Sequence, residues 1–230
     1  MKSLILILTL LTSLANADTL RVAVVDTGLN LNDHRFAGHL CIDDHKDFTD
    51  TGLTDTNGHG TFVAGLIEKY AGKGNYCFLI YKYYQSDVPG IVNMKHEIEA
   101  FLEAVADGAK IVNFSGGGPE FNEDESLIIK NHPEITFVVA AGNGGKSLDV
   151  PGNEYYPASY FYKNIEVVES VNEKGERSSF SNYGKKVEYK ELGEDLHSYS
   201  PNTLFSVGSG TSFACAIHTG KLIRKMLDAK

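Results

Sequence analysis

The 230-residue sequence holds three cysteines, Cys41, Cys77 and Cys215, too few for a disulfide-built scaffold and at spacings that match no zinc site. It has no internal repeat, no Pro/Ser-rich linker and no block of like charge that would divide the chain. Long apolar runs are also scarce. One, from Leu4 to Leu11, follows Lys2 and precedes Ala15-Asn16-Ala17, a small-x-small cleavage pattern. It is far shorter than the ~20 residues of a bilayer span, so it reads as a secretory signal over residues 1–17, with Asp18 as the mature N-terminus and no membrane span after cleavage. Positive charge is in deficit: the formal net charge is −9, and becomes −10 once Lys2 is removed. That balance argues against nucleic acid or an anionic membrane as the natural partner. Residues 18–230 supply enough chain for a sizeable core in one large domain or two small ones.

What is present is an alternation of strand-length apolar runs with helix-period segments. Leu20–Val25, Cys77–Tyr83, Ile111–Phe114, Thr136–Ala141 and Ile165–Val171 read as strands, and Phe62–Tyr70, Met94–Val105 and Ser126–Asn131 as helices. The pattern predicts an α/β three-layer sandwich, a mainly parallel twisted sheet with helices on both faces. Continuous runs such as Val22-Ala23-Val24-Val25 suit strands buried on both sides. In the helix over Met94–Val105, the stripe Met94, Ile98, Phe101, Leu102 and Val105 is the expected buried face, and Gly108 the stop.

Sites in such sheets form beyond the carboxyl ends of the strands, where this sequence places its polar residues. Asp26 ends the first run in Val25-Asp26-Thr27-Gly28, as a turn former or as a functional carboxylate. His59 stands between two glycines in Asn57-Gly58-His59-Gly60-Thr61 at a helix start, where it can cap, ligate or serve as a general base. No second histidine lies at metal spacing on that helix. Ser212, in Gly210-Thr211-Ser212-Phe213-Ala214, opens a helix running to about Leu227, as an N-cap or as an exposed nucleophile near the positive end of the dipole.

The order Asp, His, Ser is that of the subtilisin-type triad, and the three boxes together resemble the signatures of the subtilase family of serine proteases. Between them, Val112-Asn113-Phe114-Ser115-Gly116-Gly117 looks like the family's substrate-pairing strand and Ala140-Ala141-Gly142-Asn143 like its oxyanion box. Tyr156-Pro157-Ala158 and Phe180-Ser181-Asn182-Tyr183-Gly184 also resemble family segments in sequence order. The resemblance implies a secreted or periplasmic serine endopeptidase acting on peptide or protein through an acyl-enzyme. Ser212 attacks the scissile carbonyl, His59 moves the proton, Asp26 orients and stabilises the imidazolium, and Asn143 donates to the oxyanion. Ser115, Gly116 and Gly117 would pair with an extended peptide. Tyr155 would stand at the base of the S1 pocket, narrowing it to Ala or Gly at P1, or else turn outward onto Tyr160 or Phe161. The other functional classes are a peptide-binding pseudoprotease that retains the fold, and an esterase, for which Ser212 lacks a Gly-x-Ser-x-Gly elbow.

Departures carry their own expectations. Ala216 stands where the family usually has proline, and Cys215, about one helical turn past Ser212, is expected as a buried free thiol. Cys41 and Cys77 adjoin strands that neighbour one another in family members, so either a disulfide or two buried thiols follows. No pro-segment is recognisable between Asp18 and Asp26. The expectation is a catalytic domain over residues 18–230 that folds unaided, is helped or inhibited by a partner in trans, or is not activated in the usual way. No cofactor is required. Asp43, Asp44, Asp47, Asp50 and Asp55 leave room for a structural calcium, although no EF-hand spacing is present and no ligands are assigned.

Overall fold

The computed structural model describes residues 19–229, so the expected signal over residues 1–17 lies outside the described residues. Seven parallel strands form one sheet in the order β2-β3-β1-β4-β5-β6-β7. They are β1 (Leu20–Asp26), β2 (Lys46–Asp47), β3 (Tyr76–Lys82), β4 (Ile111–Phe114), β5 (Thr136–Ala140), β6 (Ile165–Val171) and β7 (Val187–Leu192). Strands β8 (Leu196–Tyr199) and β9 (Phe205–Gly208) form a separate antiparallel hairpin. The helices are α1 (His59–Ala71), α2 (Gly90–Ala106), α3 (Glu123–Asn131) and α4 (Thr211–Asp228).

The apolar runs separate into two cores by the two-residue period of the strand. Val22 and Val24 of β1 join Phe78 and Ile80 of β3 against α1 and α4, through Val63, Ile67 and Ile217. Ala23 and Val25 face the other way, with Leu79, Tyr81 and Phe137, against Phe101 of α2 and Ile128 of α3. This is the three-layer sandwich that the alternation predicts. Among the described residues, no helix is long and apolar enough to cross a membrane.

Local signals set the helix ends. Gly58, at φ 101°, precedes α1, and Gly108, at φ 70°, follows α2. Asn122 caps α3 by accepting from the Glu125 N–H at 3.1 Å, and Glu123, Asp124 and Glu125 fill its first turn, where the helix dipole favours negative charge.

Two expectations need correction. The buried face of α2 is Glu97, Ala100, Phe101 and Ala104, whereas Leu102 is 51% exposed. Phe101 and Leu102 lie about 100° apart around a helix and cannot both face the sheet; the ring takes the core and a carboxylate comes with it. Strands β2, β7, β8 and β9 escape the sequence reading because they are two residues long or carry charged and polar residues, as in Val187-Glu188-Tyr189-Lys190-Glu191-Leu192.

The Cys41–Cys77 disulfide is formed, with Cα atoms 4.9 Å apart, at the point where the Leu40–Phe78 bridge brings the two segments together. Cys215 is a buried free thiol, and burial pushes it far above the ordinary thiol range.

Candidate active site

Asp26 is the last residue of β1 and is buried. One carboxylate oxygen, Oδ1, accepts from the Thr27 N–H at 2.8 Å and lies 2.7 Å from His59 Nδ1. His59 opens α1, its side chain 31% exposed toward the cleft. Burial of the imidazole opposes its charge, but the Asp26 carboxylate, by charge and by hydrogen bond, and the charge of Asp55 outweigh that cost. The histidine therefore titrates above its ordinary value.

Asp55, which the acidic-loop reading grouped with calcium candidates, fastens this pair. Its Oδ1 accepts from Thr27 Oγ1 and the N–H groups of Asn57 and Gly58, and its Oδ2 accepts from Thr61 N and Thr61 Oγ1 at 2.8 and 2.6 Å. Thr27 Oγ1 in turn accepts from Gly60 N at 2.9 Å. The end of β1 and the first turn of α1 are thus tied by one buried carboxylate, fixing His59 relative to Asp26. The signal was an aspartate four residues ahead of the histidine at a helix start. Asp47 is similarly occupied by Thr49 and Gly52, and Asp44 by Arg21. Among the described residues no three His, Cys, Asp or Glu side chains gather where they could hold an ion.

Ser212 is in the first turn of α4. Its Oγ donates to the carbonyl of Ser115 at 2.8 Å, and Ser115 Oγ donates back to the Ser212 carbonyl at 2.9 Å. Behind them the fully buried Asn113 donates through Nδ2 to Ser115 Oγ and accepts at Oδ1 from Thr219 Oγ1 and Cys215 Sγ. Asn113 lies in the Val112–Gly117 segment, and the sequence alone assigns it no role. It joins β4 to two successive turns of α4, so the serine is held from behind.

Asn143 follows β5. Its Oδ1 accepts from Thr211 N and Thr211 Oγ1, both at 2.9 Å, which leaves the amide Nδ2 as a donor at an exposed position near the head of α4. Asn182, also unassigned by the sequence reading, holds this loop by donating to Ala141 O and accepting from Gly144 N and Lys146 N.

The cleft, about 320 Å³, is lined by Asp26, His59, Ser115, Gly116, Gly117 and Tyr155. Gly116 and Gly117 make no backbone–backbone hydrogen bond among the described residues, whereas Gly118 is already paired antiparallel with Tyr156. The Tyr155 ring is wedged between Gly117 and Gly142: a Cβ on either would meet it, at 2.6 and 2.9 Å. Both glycines have positive φ, 146° and 93°. The tyrosine thus turns inward, and it is Tyr156, not Tyr155, that packs on Phe121 and Tyr160.

A covered parallel sheet with Asp26, His59 and Ser212 converging at its carboxyl edge is the subtilisin-like fold. The subtilase family model matches residues 17–224, and the chain belongs to that family. It is 30% identical over 220 residues to the major intracellular serine protease of Bacillus subtilis, covering 88% of this chain and 67% of that protein. It is 32% identical over 206 residues to the thermostable alkaline protease of Halalkalibacterium halodurans, covering 84% and 53%. Subtilisin-like protease 2 of Plasmodium falciparum is 28% identical over 216 residues, which are 84% of this chain but 16% of that protein. The chain therefore spans only a small part of some relatives and most of others. Among solved structures, a cold-adapted subtilisin-like serine proteinase superposes with a TM-score of 0.76 at 26% identity, over 93% of this chain and 78% of that one.

Proposed function

We propose that this chain is an exported serine endopeptidase that cleaves peptide bonds through an acyl-enzyme. The observation that carries the reading is the 2.7 Å Asp26–His59 hydrogen bond at the floor of a cleft whose wall is the unpaired Gly116–Gly117 backbone. An extended peptide adds to that open edge and brings its carbonyl to Ser212. Ser212 Oγ releases Ser115, passes its proton to His59 and attacks. Asp26 stabilises the imidazolium, and the negative oxygen is met by Asn143 Nδ2 and the backbone N–H at Ser212. The imidazolium then protonates the leaving amine, and water, activated in the same way, releases the acyl group.

With the Tyr155 ring between Gly117 and Gly142, the space for a P1 side chain is shallow, which favours Ala or Gly at P1. The Cys41–Cys77 disulfide supports an oxidising compartment, and with it the export reading of residues 1–17. Relatives bear names of both kinds, the minor extracellular protease Epr and the major intracellular protease, and the disulfide and the apolar leader favour the first.

The test is to react the purified protein with a fluorophosphonate and map the adduct. Labelling at Ser212 that is lost in His59→Ala is the expected result. An unlabelled protein that still binds peptide would make it the pseudoprotease instead.

A further inference from the structure

Polar side chains tie α4 to the sheet at two places. At the first, the buried Asn113 of β4 reaches Cys215 and Thr219, and neither Asn113 nor Thr219 titrates. The second is His218, six residues past Ser212 and so about 9 Å along the helix axis, where α4 packs on β6 and β7. Its side chain is 13% exposed and lies between carboxylates from two different strands. Nε2 is 2.6 Å from Glu166 Oε2 of β6, and Nδ1 is 3.8 Å from Glu191 Oε1 of β7. Tyr189 of β7 stands against the ring, centroids 4.3 Å apart, and donates its hydroxyl to Glu166 Oε1 at 3.2 Å. The carboxylates meet opposite edges of the imidazole, so the three groups do not form a metal site.

A neutral imidazole has one N–H and one lone pair, so it can serve only one of two facing carboxylates and turns its lone pair on the other. Only the imidazolium, with an N–H on each nitrogen, satisfies both. The neighbouring charges leave that preference in place. The exposed Lys221 of α4 reaches Glu191 Oε2 at 2.6 Å, Lys225 adds positive charge near Glu166, and Glu188 of β7 adds negative charge near Tyr189. Strands β4 and β5 carry no ionisable side chain. Helix α1 meets this part of α4 with Tyr70, whose ring has Lys69 and Lys221 over it. Burial opposes a charge on His218, but Glu166 and Glu191 outweigh it, by hydrogen bond and by charge, and the histidine titrates above its ordinary value. Burial opposes both carboxylates as well, and the hydrogen bonds with His218 help to carry each below its ordinary value.

We propose that His218 is a proton-operated latch on the nucleophile's helix: charged, it ties α4 to β6 and β7; neutral, it lets go of Glu191 and leaves the helix free to lift from the edge of the sheet. A group that holds its proton more tightly in the folded chain stabilises it fully below the unfolded value, ~6.5, and that contribution is lost as pH rises through the folded value. The latch therefore opens on the alkaline side of ~6.5. One consequence rests on the reading of the chain as a protease. His59 must lose its proton for the reaction, whereas His218 must keep its own for the helix to stay seated, so the two histidines bound activity from opposite ends of the pH scale.

The test is amide hydrogen exchange along α4, read by mass spectrometry at about pH 6 and about pH 9 and corrected for the intrinsic rate at each pH. Both proteins compared carry His59→Ala, which removes the other histidine raised by a carboxylate together with any self-cleavage. One of them also carries His218→Gln, which keeps a donor and cannot titrate. With His218 present, protection of the Thr211–Asp228 amides should fall about tenfold between the two conditions, as for a shift of about one unit, and with glutamine by less than about threefold. Equal pH dependence in the two proteins would overturn the proposal. If the glutamine variant does not fold, an NMR titration of the His218 Cε1–H in the His59→Ala protein decides: a midpoint above ~6.5 supports the latch, and one at or below ~6.5 removes it. Neither measurement involves hydrolysis. A Ser212 unreactive toward the fluorophosphonate would leave the latch standing, and a failed latch would leave the protease standing.

Discussion

Ser212 Oγ and His59 are not hydrogen-bonded to one another: the hydroxyl donates instead to the carbonyl of Ser115, 2.8 Å away. In the proposed mechanism its proton must leave that carbonyl before the imidazole can take it. The rotation is cheap for a serine, whose side chain has one soft torsion, and a peptide added to the Ser115–Gly117 edge would compete for the same carbonyl. On this reading substrate binding and release of the hydroxyl are one event.

The first prediction concerns pH. The sequence alone places the base near the histidine reference of ~6.5, but Asp26 and Asp55 raise His59 above it despite its burial. Only the neutral ring accepts the Ser212 proton, so kcat/KM should rise with pH through an apparent pKa above ~6.5. Asp26→Asn removes the charge and should move the rise to lower pH while depressing kcat by up to about 10⁴-fold. A pH–rate series on both proteins checks this; an unmoved midpoint in Asp26→Asn would contradict it.

A second prediction isolates the oxyanion donor. Asn143→Ala should lower kcat by more than about tenfold and move KM by less than about threefold, because the amide is needed where charge develops. The same change removes the acceptor used twice by Thr211, so a small loss of thermal stability accompanies it. A change confined to KM would remove Asn143 from the chemistry.

The third concerns P1. With the Tyr155 ring filling the gap between Gly117 and Gly142, Tyr155→Gly should extend cleavage from small P1 residues to Phe and Leu. Steady-state rates on a P1-varied peptide series provide the check. Efficient cleavage after Phe by the wild type, unchanged in the variant, would show that the ring is no barrier.

Much of this was legible in the sequence for a physical reason. Asp26 and Asn143 follow apolar runs, His59 and Ser212 open helices, and each has a glycine within two residues, a spacing visible without a structure. The residues that hold them were not legible. Asp55 reads as one solvated acid among several, and Asn113 as a polar interruption in a strand, because their roles depend on partners up to 106 residues away. Glu97 was hidden for another reason. A glutamate on an amphipathic helix belongs by pattern to the wet face, and only the docking of Phe101 turns it inward.

The fourth prediction is covalent. The Cys41–Cys77 link spans 36 residues, and closing a loop of that length restricts the unfolded chain enough to contribute about 4 kcal/mol. Alkylating the intact protein without reductant should modify one thiol under denaturing conditions and three after reduction. A Cys41→Ala, Cys77→Ala variant should unfold at lower urea concentration. Three thiols modified without reductant would exclude the bond.

With the other two cysteines joined, Cys215 is the free thiol of the described residues, fully enclosed where α4 crosses β4 and β5, one turn from Ser212. It is therefore a built-in clock. A thiol reagent can reach it only when the nucleophile's helix lifts from the sheet, so its rate of labelling reads how readily the assembled site opens, in an inactive variant as well as in the active one.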